Sequence, residues 1–383
     1  MRTVIKNAKI VTEKEVLIGC QCAFTDGYID YVGSEEQKAD VVIDACGNYL
    51  IPGFIDIHCH GGNGYEFMDA TLDEIEEIAK FHLAHGTTTM LATTLAAGDE
   101  TIDALNNVQA HIRKNKNSII RGINLEGPWL SPEQCGAQNC AHMREPNKDE
   151  LIELKNNYPE IERICSAPEL PGGYEFGRVG KELGMVMSCA HTDGTFSDMQ
   201  TALENGYNLM THLYSGMKGV TRKNSFRVAG AVEAGLYFDD YYVELIADGR
   251  HLPYELLKFV YKIKGADKVC LITDAIRACG MPDGSETVIG SKKNGLPVIV
   301  EDGVAKMPDR QAFAGSASTY DIIYRTMAQA IGKDMVALSK MTALTPAKLM
   351  NWKDVGSIEV GKKAHLLIMD ENLSIKQVIK ENA

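Results

Sequence analysis

The stretch IPGFIDIHCHGG (residues 51–62) runs an apolar segment into two histidines, one residue apart, and a Gly-Gly turn. Side chains of a β-strand alternate between its two faces, so His58 and His60 project to one side while Cys59 projects to the other. Two neutral imidazoles converging where a strand gives way to a loop can form half of a metal site. They can equally be two polar residues at a strand end making separate hydrogen bonds. The rest of the chain decides between these readings.

Outward from this segment, apolar runs alternate with helical patterns. Candidate strands fall at 53–58, 87–94, 118–126, 163–169, 184–191, 207–212, 241–248 and 268–274. Helix-like stretches intervene at 71–85, 101–114, 197–204 and 253–264; Ser197 and Asp198 supply N-cap chemistry for one, and Pro253 suits the first turn of another. Parallel strands need long crossover connections, and the spacing provides them. Strands buried on both faces should read as near-continuous apolar runs, as these do. The pattern predicts an α/β fold, a closed (β/α)8 TIM-like barrel over 51–351, with an open doubly wound sheet as the alternative. A segment at 285–310 with NG and DG turn signals reads as an inserted hairpin before a last helix near 317–331. Residues 1–50 and 352–383 share a texture of short strands and turns. They are expected to form one small β-sandwich domain from both chain ends.

In a barrel, the residues closing each run share one rim, the C-terminal mouth where active sites lie. Those residues are His58 and His60 (first strand), Glu126 (third), His191 (fifth), His212 (sixth) and Asp274 (eighth). A single buried histidine is ordinarily a satisfied core residue; six such residues recurring at strand ends point to metal. Imidazole and carboxylate without thiolate suit Zn²⁺, Fe²⁺, Mn²⁺ or Co²⁺, and the number of ligands admits one or two ions. Such ions acidify a bound water and polarise a substrate oxygen. A carboxylate beside that water relays its proton, and Asp274 is the candidate.

Composition bounds the rest. The chain has 383 residues, 45% hydrophobic and 24% charged, enough for a large domain and a small one. A formal net charge of −13 argues against a nucleic-acid or acidic-membrane binder, though not against a local basic pocket. No signal-peptide run follows the basic N-terminus, and no segment approaches the ~18 apolar residues of a membrane span. Ten scattered cysteines without a CxxC pair read as reduced thiols of a cytoplasmic protein, although Cys135 and Cys140 share a loop and are able to pair.

PGFIDIHCHG, GTTTMLATT, LEGPWLSP, AHTDGT, THLYSGM, ADGRHL, LITDA, FAGSAS and the ending TPAKLMN…GSIEVGKKAHLLIMD together resemble the amidohydrolase superfamily, and within it the N-acetylglucosamine-6-phosphate deacetylases. The resemblance covers nearly the whole chain. PGFIDIHCHG marks only the superfamily, whereas LEGPW with ADGRH and THLYSGM is more specific. The resemblance implies a metal site of Glu126, His191 and His212. It implies a second site from His58 and His60 with Glu126 bridging, although some relatives lack that histidine pair and use one metal. It assigns Asp274 as catalytic acid/base and His251 as a substrate contact near the sugar phosphate, and it implies a homodimer in which a neighbouring subunit helps close the site.

Three positions depart from the family. The common Lys-Gly-Ala-His loop reads CGAQN here, so Gln138 takes the histidine's place, with His142 four residues on. Gln can donate a hydrogen bond but cannot carry a proton or charge. The phosphate-binding Arg-Glu-Pro-Gly stretch is replaced by TRKNSFRVAG, where Arg222, Lys223 and Arg227 keep positive charge. The usual Ala-Asp-Leu near the C-terminus is Ala364-His365-Leu366, with His365 read as structural. The expectation is metal-dependent hydrolysis of an N-acetyl amide on an amino-sugar phosphate. One competitor is hydrolysis of another N-acyl or cyclic amide, although cyclic-amide relatives typically use a fourth-strand lysine that ICSAPEL lacks. A non-catalytic member of the same fold is the other, against which the full ligand set argues.

Overall fold

The computed structural model describes residues 1–380. Its centre is one eight-stranded parallel sheet: β1 (Phe54–Cys59), β2 (Thr87–Thr94), β3 (Ile120–Glu126), β4 (Ile161–Ser166), β5 (Val186–Cys189), β6 (Tyr207–Met210), β7 (Tyr242–Ile246) and β8 (Val269–Ile272). These strands neighbour one another in sequence order. Every residue of β1, β2 and β8 is buried, as continuous apolar strands covered on both faces require.

Eight helices alternate with the strands: α1 (Leu72–Ala84), α2 (Glu100–Lys114), α3 (Lys148–Asn157), α4 (Gly173–Glu182), α5 (Phe196–Glu204), α6 (Ala231–Tyr237), α7 (Tyr254–Lys264) and α8 (Tyr320–Ile331). Thr71 starts α1 with a capping box to Glu74. The start of α5 corrects the sequence expectation: Thr195 is its N-cap, Asp198 answers as the third-position carboxylate of the box, and Ser197 lies inside the first turn. Pro253 is the N-cap of α7, one residue before the helix.

The sheet closes into a barrel, which removes the open-sheet alternative. Between β1 and β8 the seam is joined near the mouth by backbone bonds. Asp274 N–H donates to His58 O at 2.9 Å, and His60 N–H donates to Ala275 O at 2.8 Å. Deeper down, side chains do the joining. The Tyr320 hydroxyl of α8 donates to Leu271 O (2.7 Å) and approaches Ile55 O (3.3 Å), and Thr273 Oγ1 donates to the Asp56 carboxylate at 2.6 Å. The segment expected to be an inserted hairpin is a three-stranded antiparallel sheet (Glu286–Ile289, Leu296–Glu301, Val304–Lys306) beside the mouth.

Both chain ends build two further sheets. One has four strands, ordered Tyr28–Gly33, Gln21–Thr25, Arg2–Lys6, Val41–Asp44. The other has five, ordered Ile375–Ile379, Leu366–Met369, Tyr49–Pro52, Lys9–Val11, Val16–Leu17. Ile5, Ile10, Cys22, Ile29, Leu50, Leu366 and Ile368 fill the space between them as a separate core. Among the described residues no helix is long and apolar enough to cross a membrane.

Candidate active site

The six residues predicted from the strand ends meet at one mouth of the barrel. His58 belongs to β1 and His60 follows it directly; Glu126 ends β3. His191, His212 and Asp274 each stand two residues beyond β5, β6 and β8, with φ of 43°, 30° and 49°. Left-handed backbone at non-glycine residues is uncommon and concentrates at functional sites. Here it turns three side chains off the strand direction and into the opening.

Glu126 is the hub. Its Oε1 lies 2.9 Å from His212 Nε2, 3.3 Å from His191 Nε2 and 3.5 Å from His58 Nε2; its Oε2 lies 3.4 Å from His60 Nε2. Asp274 Oδ1 is 3.1 Å from His60 Nε2 and 3.4 Å from His58 Nε2. Two groups therefore have ligand atoms within 4.8 Å of one another: His58, His60 and Glu126, and Glu126, His191 and His212. The far nitrogens are fixed. His191 Nδ1 donates to Gln134 O (2.7 Å), His212 Nδ1 to Ser215 O (3.0 Å), and His58 Nδ1 faces Glu244 Oε2 (3.3 Å). Such bonds set the tautomer that presents Nε2 as the free lone pair.

These residues fit divalent cations. His58 Nε2, the nitrogen that faces Glu126 and Asp274, is buried with no hydrogen-bond partner, and a buried imidazole nitrogen left so is costly unless something binds it. With neutral imidazoles, Glu126 and Asp274 leave two negative charges shielded from water. Burial alone disfavours charge at this depth. Despite burial, the neighbouring histidines bring the Glu126 carboxyl well below its usual range and also lower Asp274. Burial likewise opposes a proton on His60, yet Asp274 and Glu126 push its pKa up to about 9. The pocket demands positive charge, which a divalent metal supplies with ligands of the right chemistry.

A cleft of about 200 Å³ opens onto His60, Glu126, His191, His212 and Asp274, with His58 buried behind them, and is also walled by Gln138, His251 and Phe313. Gln138 is buried and committed at both ends of its amide: Nε2 donates to Glu126 Oε2 at 2.6 Å, and Oε1 accepts from Ala96 N–H at 2.9 Å. His251 Nδ1 is 2.7 Å from the buried Asp248 carboxylate, its ring rests 4.8 Å from that of Phe313, and Nε2 is the nitrogen left for a ligand. His142 lines a neighbouring smaller pocket instead.

Arg222, Lys223 and Arg227 are not brought into this cleft. They lie on an exposed two-stranded hairpin, Thr221–Lys223 paired with Phe226–Val228, turned by Asn224 and Ser225 at positive φ. One cysteine expectation is corrected. Cys135 and Cys140 are joined in a disulfide, their Cα atoms 5.9 Å apart across the Gly-Ala-Gln-Asn turn that carries Gln138. The other eight cysteines are free thiols.

Two charged residues were not singled out from the sequence: Arg163 on β4 and Glu244 on β7, both fully buried beneath the histidines. Their signal was available. A full charge inside a strand that reads as buried on both faces has to be paired.

Residues 49–382 match the family model described as the amidohydrolase family. The chain is 32% identical to N-acetylglucosamine-6-phosphate deacetylase of Lysinibacillus sphaericus, over 88% of this chain and 86% of that one. It is 29% identical to N-acetylgalactosamine-6-phosphate deacetylase of Escherichia coli O157:H7, over 99% and 98%. A crystal structure of N-acetylglucosamine-6-phosphate deacetylase from Pasteurella multocida superposes with a TM-score of 0.91 at 29% identity, covering 99% of this chain and 98% of that one.

Proposed function

The chain belongs to the amidohydrolase family, and on that premise we propose that it hydrolyses the N-acetyl amide of N-acetylglucosamine-6-phosphate, or a related N-acetylated amino-sugar phosphate, to acetate and the amino-sugar phosphate with its amine free. The observation that carries the reading is the convergence of four imidazoles on Glu126, with Asp274 Oδ1 3.1 Å from His60 Nε2.

Glu126, His191 and His212 would hold one divalent ion, and His58 and His60, sharing Glu126, a second. Zinc, iron, manganese and cobalt all suit these donors. Ions held there supply the acidification of water and the polarisation of the amide oxygen. Asp274 takes the proton of the attacking water at its carboxylate and returns it to the amide nitrogen as the carbon–nitrogen bond breaks. Gln138, with one N–H on Glu126, has a second to offer the developing oxyanion. His251, held by Asp248, meets the sugar or its phosphate through Nε2.

Arg222, Lys223 and Arg227 are the candidate phosphate contacts. Their place on an exposed hairpin supports a homodimer in which one subunit's hairpin closes its neighbour's mouth. We place this reaction in amino-sugar catabolism, in the cytoplasm. The test is acetate release from N-acetylglucosamine-6-phosphate, N-acetylgalactosamine-6-phosphate and unphosphorylated N-acetylglucosamine, with metal content measured. Preference for one phosphorylated sugar is expected; no turnover by metal-loaded protein would assign the site to another amide.

A further inference from the structure

Beneath the histidines lies a polar layer that the reaction itself does not use. Arg163, Glu244 and His58 are each fully buried. The Arg163 guanidinium grips Glu244 in a bidentate pair, with Nη2 3.0 Å from Oε2 and Nη1 on Oε1. It also donates to Ile57 O (3.0 Å), Thr211 Oγ1 (3.0 Å) and Ser188 Oγ (3.3 Å), joining elements around β1, β5 and β6. Glu244 Oε2 in turn faces His58 Nδ1 at 3.3 Å and accepts from the backbone N–H of His212 at 3.2 Å.

We infer that Glu244, fixed by Arg163, is a positioning residue that holds His58 as the Nδ1–H tautomer with Nε2 aimed at the metal, and so sustains the His58/His60 metal site. This rests on the proposed two-site reading. His191 and His212 orient themselves through backbone carbonyls, which cost nothing to keep at a barrel rim. His58 sits one layer deeper inside β1, where Ile57 O is taken by Arg163 and His58 O by the Asp274 N–H, and a carboxylate is supplied instead. Core stability alone does not require the pair. Replacing a buried ion pair by apolar groups of similar volume is often neutral or stabilising. Loss of a carboxylate behind a metal-bound histidine typically costs 10–100-fold in metal affinity.

The test compares two charge-free double variants of the full chain. Arg163→Met with Glu244→Gln keeps a carbonyl acceptor for His58; Arg163→Met with Glu244→Leu does not. Zinc content and affinity are measured by chelator competition, and the tautomer of His58 by long-range ¹H–¹⁵N correlation on apoenzyme labelled at histidine. The leucine variant is expected to bind its weaker zinc roughly 10–100-fold less tightly and to lose the protected Nδ1–H signal. The glutamine variant is expected to stay within about threefold of wild type, on that same scale, and to keep the signal. A leucine variant with wild-type zinc affinity and an unchanged His58 tautomer would overturn the inference. Wild type binding a single zinc overturns the two-site reading instead, and the His58 tautomer still decides whether Glu244 positions the ring.

Discussion

Replacing Asp274 by asparagine is the sharpest perturbation of the proposed chemistry, because the backbone is built to accept it. Asp274 has φ of 49°, a conformation that asparagine tolerates about as well as aspartate. Its backbone N–H on His58 O and its carbonyl, which accepts from Ser316 N–H at 2.7 Å, are unaffected by the change. Its closest ligand-side contact, Oδ1 to His60 Nε2 at 3.1 Å, keeps an oxygen of the same size. Folding and the Glu126–His191–His212 site should therefore survive. What is lost is a group able to take and return a proton. General acid–base catalysis is worth about 10²–10⁴-fold, or roughly 3–5 kcal/mol at 1.36 kcal/mol per decade. Asp274→Asn should lower kcat by that factor with little change in thermal midpoint or metal content. The assay is acetate release alongside metal analysis of the same sample. A variant with full metal and kcat within about fivefold of wild type, far short of that range, would refute the proton-relay role.

Gln138→Leu keeps volume but leaves the buried Ala96 N–H without its acceptor, at about 1–3 kcal/mol, and removes both the donor to Glu126 Oε2 and the N–H proposed for the oxyanion. In metal-loaded enzyme, kcat/KM should fall roughly 10–100-fold, read from initial rates. Arg222→Ala with Arg227→Ala should raise KM for the phosphorylated sugar roughly 10–100-fold, the worth of one or two charge-assisted bonds, and spare the unphosphorylated one. Equal losses on both substrates would exclude phosphate recognition. His365 tests pH linkage: burial first, then Lys380 and Lys363, hold its pKa down to about 3, with Asp354 opposing. The unfolded chain takes up that proton near pH 6.5 and the native state does not, so stability is complete above pH 6.5 and falls as pH drops below it. The slope is at most about 1.4 kcal/mol per pH unit, and urea midpoints of His365→Gln between pH 5 and 7 should be flatter by that amount.

The barrel and the cluster at its mouth were legible because both rest on patterns that local chemistry writes directly. Eight apolar runs were spaced for crossover helices, and five of them ended in histidines or carboxylates that face one mouth. The second layer was half legible: a charge inside a buried strand marks Arg163 and Glu244 singly, but that they pair with each other is set by the barrel's curvature, not by their distant places in the sequence. The turns that aim His191, His212 and Asp274 were also hidden, because left-handed φ at His and Asp leaves no mark comparable to glycine. For Cys135 and Cys140 the cues conflicted: the spacing allowed a bond, while the scattered thiols elsewhere argued against one. TRKNSFRVAG declares a charged hairpin, and the structure holds that hairpin exposed and outside the cleft; the proposed phosphate contact rests on a second subunit, which the sequence of one chain does not describe.

The pairing of Leu366–Met369 with Tyr49–Pro52 imposes a timetable on synthesis. The sheet leading into β1 has an unpaired edge when it leaves the ribosome, and the strand that covers it follows roughly 300 residues later, on the order of 15–60 s at typical elongation rates. Throughout that interval the nascent chain presents an apolar strand edge of the kind that templates aggregation. A chain arrested before Leu366 keeps that edge permanently. Quality control is thereby coupled to one late pairing: until Leu366–Met369 is made and docked, the edge beside Tyr49–Pro52 is what a chaperone has to shield.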